Sequence, residues 1–259
     1  MKVSVITVCF NSARTLGDTL DSVAAQDHPD IEHLVIDGGS TDGTPEVMCR
    51  HGAHVAKYVS EKDRGIYDAM NKGLALATGE IVGFLNSDDV YTHKGVLSRI
   101  AQVMSAPDLD ACYANLYYVD PMKGDRIRRV WRSRDYETGL CARWGWMPAH
   151  PTFYARRNLY ERHGNFNLDY SLQADFDMAL RLLDIHGIRA CFVPEFWVRM
   201  RMGGASNASV RNVLRGNLEA YRACRRHNIP VPPWFILTKL VSRLSQFRNR
   251  SLSPNDIGT

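Results

Sequence analysis

No stretch of the 259 residues approaches the roughly 20 consecutive apolar residues that a membrane-spanning helix needs. The first strand is not preceded by a basic, apolar, small-residue leader, so the protein is expected in the cytoplasm. The six cysteines, Cys9, Cys49, Cys112, Cys141, Cys191 and Cys224, include no C-x-x-C pair, and several sit in apolar segments. Buried free thiols are therefore expected, with neither a zinc site nor a disulfide framework. Recognisable nucleic-acid-binding motifs are also missing, and nucleic acid is not an expected partner. What is present, 45% hydrophobic residues in a chain of this length, is enough to bury a sizeable core in one α/β domain, alone or with an appendage. Net charge is +4 but uneven: from Arg201 onward ten Lys and Arg face two acids, Glu219 and Asp256. A basic tail of that kind suits an anionic surface, a membrane leaflet in preference to nucleic acid.

The stretch that organises the chain is G-E-I-V-G-F-L-N-S-D-D-V-Y, from Gly79 to Tyr91. Ile81 to Leu85 is a short apolar run, as a fully buried strand requires, and it stops at Asn86, Ser87, Asp88 and Asp89. In an open α/β sheet ligands bind beyond the carboxyl ends of parallel strands, which is where these acids would emerge. Oxygen ligands suit magnesium or manganese, and magnesium typically takes one or two carboxylates plus substrate phosphates. The plainer alternative is a polar turn before a helix that starts near Lys94.

Upstream, Val3 to Thr7 is expected as a β-branched strand, followed by a polar turn in which Ser12 caps a helix carrying Leu16, Leu20, Val23 and Ala24. His33 to Ile36 is a second strand ending in Asp37, and the glycines after it allow either close approach to a ligand or simply a tight turn. Val55 to Val59 is a third strand. The helix over 65–77 has the stripe Ile66, Ala69, Met70, Leu74 and Ala75, with Asp68, Asn71 and Lys72 off it. Four strands, each followed by a polar turn or helix, make 1–110 a doubly wound nucleotide-binding half. Ala111 to Val119 and Arg126 to Arg132 then suggest antiparallel strands, so 111–205 adds a second half to the same sheet. Its aromatic segment from Leu140 to Tyr154, with Trp146 and His150, is either core or a sugar-stacking surface. Asn158 to Arg162 is helical, and Asp175 heads a helix running to Ile185. There Asp175 is either an N-cap or a general base facing the cleft, and its position alone favours the cap.

Six segments in order resemble the family 2 inverting glycosyltransferases of the GT-A fold. They are V-S-V-I-T-V-C-F-N from Val3, D-G-G-S-T-D-G-T from Asp37, E-K-D-R-G-I-Y-D-A-M-N-K-G from Glu61, G-F-L-N-S-D-D-V-Y from Gly83, H-P-T-F from His150 and A-D-F-D-M-A-L-R-L from Ala174. Together they span roughly the first 200 residues. The resemblance implies a GT-A glycosyltransferase domain over 1–205, a doubly wound, mostly parallel sheet with a smaller antiparallel acceptor-side part. A basic helical extension follows over 206–259. The implied activity is metal-dependent, inverting transfer from a nucleotide-diphosphate sugar, UDP being the family's commonest nucleotide, in bacterial surface-polysaccharide assembly. A hydroxyl of a saccharide or lipid-linked saccharide is the implied acceptor.

By the same resemblance Thr7, Asn11, Asp37 and Asp42 match positions near the base and ribose, and Arg64 and Asn71 positions near the nucleotide and its diphosphate. Asn86 and Asp88 match the D-x-D motif, with Asp88 on Mn2+ or Mg2+ and Asp89 a supporting ligand. Asp175 matches the general base, and His150 with Trp146 the acceptor side. Two departures stand out. Asn86 replaces the first acid of D-x-D, and M-R-M-G-G-A-S from Met200 lacks the late histidine of many relatives, leaving Ser206 or the Gly203-Gly204 backbone for the diphosphate.

Two rival functions are a catalytically silent nucleotide-sugar-binding subunit and a sugar nucleotidyltransferase. Asp88 and Asp175 are both present, against the first, and Cys9 to Ser12 forms no glycine-rich basic phosphate loop, against the second. From Trp234 to Arg250, helical spacing gathers Trp234, Ile236, Leu237, Leu240, Val241, Leu244 and Phe247 opposite Lys239, Arg243, Gln246 and Arg250, with Phe235 off the apolar side. This segment is either a peripheral anchor on an anionic membrane or a helix packed on the core.

Overall fold

A computed structural model describes residues 1–120, 126–202, 210–232 and 234–236. Strand β1 (Val3–Cys9) is buried along its whole length, and its β-branched residues alternate between two faces of a sheet covered on both sides. β2 (Ile31–Asp37), β3 (Lys57–Ser60) and β4 (Ile81–Phe84) join it in parallel. Helices α1 (Leu16–Ala24) and α2 (Thr44–His51) cover one face through Leu16, Leu20 and Met48, while α3 (Ile66–Leu76) covers the other through Tyr67, Met70 and Leu74. This is the doubly wound half expected from the sequence.

The second half continues the same sheet. β8 (Tyr154–Arg156) pairs antiparallel with β4 and with β6 (Ala111–Val119). Gly83 of β4 lies opposite Tyr154, and a Cβ there would fall 2.1 Å from the Tyr154 ring, so only glycine permits this junction. β7 (Ile127–Trp131) pairs antiparallel with β6, as the sequence suggested, whereas the turn 121–124 lies outside the described residues. Three strands were not anticipated: β8 itself, β9 (Ala190–Arg201), parallel to β6, and the three-residue β5 (Asp89–Tyr91), antiparallel to β9. The order is β3-β2-β1-β4-β8-β6-β9-β5. Helix α4 (Val96–Met104) packs Leu97, Ile100 and Met104 under this half, and α5 (Leu140–Trp144) and α6 (Arg157–His163) follow.

Near the C-terminus, α7 (Ala174–Ala179) widens into a π-helix over Leu180–Ile185. α8 (Val210–Arg226) seats Ala220, Ala223 and Cys224 in the same core as α7. The tail helix expected from Trp234 falls largely on residues outside those described. Of its first three residues, Phe235 is buried, edge-on to Phe176 at 6.2 Å, while Trp234 and Ile236 are exposed. That reverses the expected sides at this point, because contact with α7 orients the segment.

His33 lies wholly inside the domain, with Nε2 2.9 Å from Thr7 Oγ1 and Nδ1 2.9 Å from His54 Nε2. Burial, with the neighbouring His54 second, pushes the imidazole pKa down from 6.5 to about 3. Protons therefore bind the unfolded chain first: the stability is complete above pH 6.5 and is lost as the pH falls from there toward 3. Urea unfolding should show the protein about 2 kcal/mol less stable near pH 5 than near pH 7.5. His33→Gln should flatten that slope, and an unaltered slope in the variant would remove His33 as its source.

Candidate active site

The order β3-β2-β1-β4 reverses direction at β1, and the crevice beyond the carboxyl ends of β1 and β4 is where an open sheet of this kind takes its ligand. The two loops that flank it are tied together, since Ser87 Oγ donates to Ser12 Oγ at 2.9 Å. Ser12 is not the expected helix cap. Its carbonyl accepts the N–H groups of Thr15 and Leu16, and its own N–H bonds Thr44 Oγ1 at 2.8 Å. It is thus a brace between loops.

After β4 the chain turns through Asn86 to Asp89, closed by the Asp89 N–H donating to the Asn86 carbonyl. Asp89 is fully buried as the first residue of β5, and Asn86 Nδ2 donates to its carboxylate at 3.3 Å. Burial first, then the adjacent Asp88, raises its pKa well above the carboxylate range. Asp88 is half-buried and its pKa is raised by desolvation, against which the Arg201 guanidinium acts. The pairing of β5 with β9 brings Arg201 here: Asp89 is opposite Met200, and Arg201 follows. Arg201 pairs with Asp18 and leaves Nη1 buried without a partner among the described residues.

Asn86 Oδ1 and Asp89 Oδ1 are likewise buried and unpartnered. These oxygens are the right chemistry for a hard divalent cation, although among the described residues no group of three or more His, Cys, Asp or Glu could hold one alone. The set fits a cation that takes its other ligands from a diphosphate.

Several residues expected at the nucleotide are engaged within the protein. Thr7 is fully buried, its hydroxyl on His33. Asp37 is also buried and accepts from Ser60 Oγ at 2.6 Å, Tyr58 Oη at 3.3 Å and the Ser40 N–H at 3.1 Å. Asn11, in a left-handed conformation (φ 50°), accepts the Thr41 N–H through Oδ1 at 2.9 Å. Asp42 accepts from Thr44 and from the Ala13 N–H at 3.1 Å, and the Thr44 hydroxyl foremost holds its pKa below the ordinary carboxylate value. Together these bonds shape the rim formed by the first two β-α loops. What approaches Gly38 is Asp63: a Cβ there would lie 2.4 Å from Asp63 Oδ2. Arg64 remains exposed at the rim, paired with Asp68 at 2.8 Å.

Asn71 uses both ends of its amide on Phe166, donating to its carbonyl and accepting its N–H, each at 2.9 Å. It thereby ties α3 to the loop that leads to Asp175. Asn71→Ala should cost about 1–3 kcal/mol in urea unfolding, because two backbone groups lose their partners. Nucleotide affinity should stay unchanged; weaker nucleotide binding at full stability would instead place Asn71 at the ligand.

Asp175 is not the expected N-cap, since Gln173 precedes the first turn of α7 and makes no side-chain capping bond. The Asp175 carboxylate accepts the Tyr67 hydroxyl at 3.1 Å and the Phe176 N–H at 2.8 Å. Tyr67, stacked on Phe166 at 5.6 Å, is a partner that sequence reasoning missed. Its burial and the Asp175 charge raise the phenol pKa well above its usual value, so it stays a donor.

Asp175 shares a cavity of about 20 Å³ with His150, Met147, Phe166 and others, room for about one water. His150 stacks on Phe84 of β4 at 5.6 Å and has Nε2 buried without a partner among the described residues. Burial holds this imidazole neutral, the Asp175 charge opposing. Trp146 is partly buried against Tyr113 and Tyr136. Thus Phe84 contacts the Asp175 cavity wall two residues before the acid cluster begins at Asn86.

Residues 4–164 match the family model for Glycosyl transferase family 2. The chain is 32% identical over 181 residues to a PGL/p-HBAD biosynthesis glycosyltransferase of Mycobacterium bovis (strain BCG / Pasteur 1173P2), covering 69% of this chain and 68% of that one. It is 33% identical over 184 residues to an uncharacterised glycosyltransferase of Mycobacterium tuberculosis (strain CDC 1551 / Oshkosh), with the same coverages, 69% and 68%. Among solved structures it is similar to the mannosyltransferase PcManGT of Pyrobaculum calidifontis in complex with GDP-Man and Mn2+, with a TM-score of 0.65 and 23% identity over 93% of this chain and 69% of that one. It is also similar to S. aureus TarS, with a TM-score of 0.62 and 18% identity over 99% of this chain, which spans 45% of TarS. These likenesses establish the α/β GT-A fold.

Proposed function

The chain belongs to glycosyl transferase family 2 and is a glycosyltransferase, and we propose that it inverts the sugar it moves from a nucleoside-diphosphate donor to a hydroxyl of a saccharide or lipid-linked saccharide. The observation that carries this is the placement of Asp175, held by Tyr67 in one cavity with His150, whose Nε2 is unpartnered among the described residues and whose ring stacks on Phe84, two residues before Asn86. Solved relatives with UDP, UDP-GlcNAc or GDP-Man support a nucleotide-sugar donor, UDP being our first choice of nucleotide.

In this proposal Asp88, with Asn86 and Asp89 behind it, would hold Mn2+ or Mg2+ together with the donor's diphosphate. The cation, when bound, neutralises charge that grows on the leaving phosphate. Arg201 adds a positive charge beside the same group. Asp175 takes the proton of the acceptor hydroxyl as that oxygen bonds the anomeric carbon, while the bond to the phosphate oxygen breaks and its electron pair leaves with the nucleoside diphosphate. One displacement inverts the centre, so a single base suffices. His150 and Trp146 flank the acceptor, Arg64 and Asn11 border the nucleotide, and the enzyme works at the cytoplasmic side of the membrane in bacterial glycan assembly.

The test is incubation with UDP-, GDP- and dTDP-sugars, Mn2+ and candidate acceptors, followed by nucleotide analysis. Release of nucleoside diphosphate supports transfer. Pyrophosphate would indicate nucleotidyl transfer, and tight donor binding without turnover would indicate a silent subunit.

A further inference from the structure

We propose that the outward face of α8 docks on the surface of an anionic phospholipid bilayer. Inward, α8 buries Asn217, Ala220, Ala223 and Cys224. On the opposite side Leu214, Leu218 and Tyr221 are 60%, 43% and 36% exposed, and their spacing of four and three residues lines them up in one stripe. Single exposed leucines are ordinary, but a stripe on the solvent side of a helix already anchored by its other face is not accounted for by packing among the described residues.

The charges beside the stripe identify the occupant. Arg211, Arg222 and Arg225 are exposed and have no carboxylate partner among the described residues, whereas Arg215 and Arg226 are committed to Glu219 and Asp169. Helical spacing sets Arg211 and Arg222 along one border of the stripe and Arg225 within it. The helix has one acid, Glu219, which is buried and also accepts the Leu172 N–H. Apolar side chains bordered by unneutralised arginines match the boundary between acyl chains and anionic headgroups. A second copy of this chain fits poorly, because a two-fold contact through this face would set arginines against arginines.

Exposed apolar side chains also occur beyond α8. Trp234 and Ile236 are exposed, and Trp234 with Trp144 and Arg143 lines an open groove of about 390 Å³. Tryptophan, with an apolar body and a polar N–H, suits the headgroup level. No helix among the described residues is long and apolar enough to cross a membrane. The proposed contact is independent of the catalytic proposal, because neither donor nor acceptor enters it.

The test is co-sedimentation of the full chain, in low salt, with vesicles of equal parts phosphatidylglycerol and phosphatidylcholine, and with phosphatidylcholine alone. The full chain should bind the anionic vesicles and not the neutral ones. Leu214→Ser with Leu218→Ser, and separately Arg222→Glu with Arg225→Glu, should each weaken binding at least about tenfold. Melting temperature and UDP binding should match the parent, since all four side chains are exposed. Variants that bind as the parent does would overturn the proposal, as would equal binding to neutral vesicles or no binding at all. A dimer of the parent that the serine variant dissolves would assign the face to a second copy instead.

Discussion

Asp175→Asn should slow transfer by at least about a hundredfold and leave donor affinity within about twofold of the parent. The substitution is nearly isosteric. Its remaining carbonyl oxygen can still accept the Tyr67 hydroxyl, now 3.1 Å from Oδ1, or the Phe176 N–H, so α7 and the cavity keep their shape. What is lost is the capacity to take a proton. A carboxylate that only oriented the helix would be replaced by Asn with little change in rate. Steady-state kinetics separate the two, because loss of a general base lowers kcat and kcat/KM together while donor binding stays intact. Normal turnover with weakened donor binding would make Asp175 a structural residue. Tyr67→Phe is a companion change: it removes the hydroxyl bond alone and should slow transfer much less, since the base itself remains.

The second large effect is expected of Asp88→Ala, which should reduce transfer to background at saturating Mn2+ while the protein melts as the parent does. Among the described residues only the backbone N–H of Asp88 itself donates a hydrogen bond to this carboxylate, so its removal leaves no other residue's donor without a partner. Asp89 differs in this respect, being wholly buried and bonded to Asn86, and Asp89→Ala should cost stability as well as activity. Turnover unchanged by Asp88→Ala would dissociate this carboxylate from the reaction.

The departure from D-x-D at Asn86, together with Arg201 in the segment that lacks the late histidine, acquires a physical meaning here. Asn86 supplies a neutral oxygen where an acid would add charge, and Arg201 places a cation next to the remaining acids. Less negative charge from the protein means that free protein should hold the metal weakly and the diphosphate should complete the site.

Local patterns located the central elements well. β1, β2 and β4 are runs of buried β-branched and aliphatic residues, and α1 and α3 carry apolar stripes at helical spacing, so both their presence and their order were legible. Contacts between distant segments were not. Tyr67 and Asp175 are 108 residues apart, and nothing in the neighbourhood of either announces the bond. Arg201 reaches the acid cluster only because a three-residue strand, β5, pairs with the end of β9, and so short a strand leaves no periodic signal. Asn71 was correctly placed off the apolar stripe of α3, yet polar residues there face ligand, solvent or another loop with equal ease. The structure gives it the Phe166 backbone. Ser12 and Asp175 both looked like caps because serine and aspartate at a helix start usually are, and in both cases tertiary hydrogen bonds took the side chain elsewhere.

The proposed site has a diphosphate side, at Asp88, and an acceptor side, at Asp175. Calorimetric titration of UDP onto the parent, Asp88→Ala and Asp175→Asn, each with and without Mn2+, tests that division most directly. The parent and Asp175→Asn should bind UDP alike, and at least about tenfold more tightly with Mn2+ than without, whereas Asp88→Ala should show no gain from the metal. A full gain from Mn2+ in Asp88→Ala, or its loss in Asp175→Asn, would contradict the assignment.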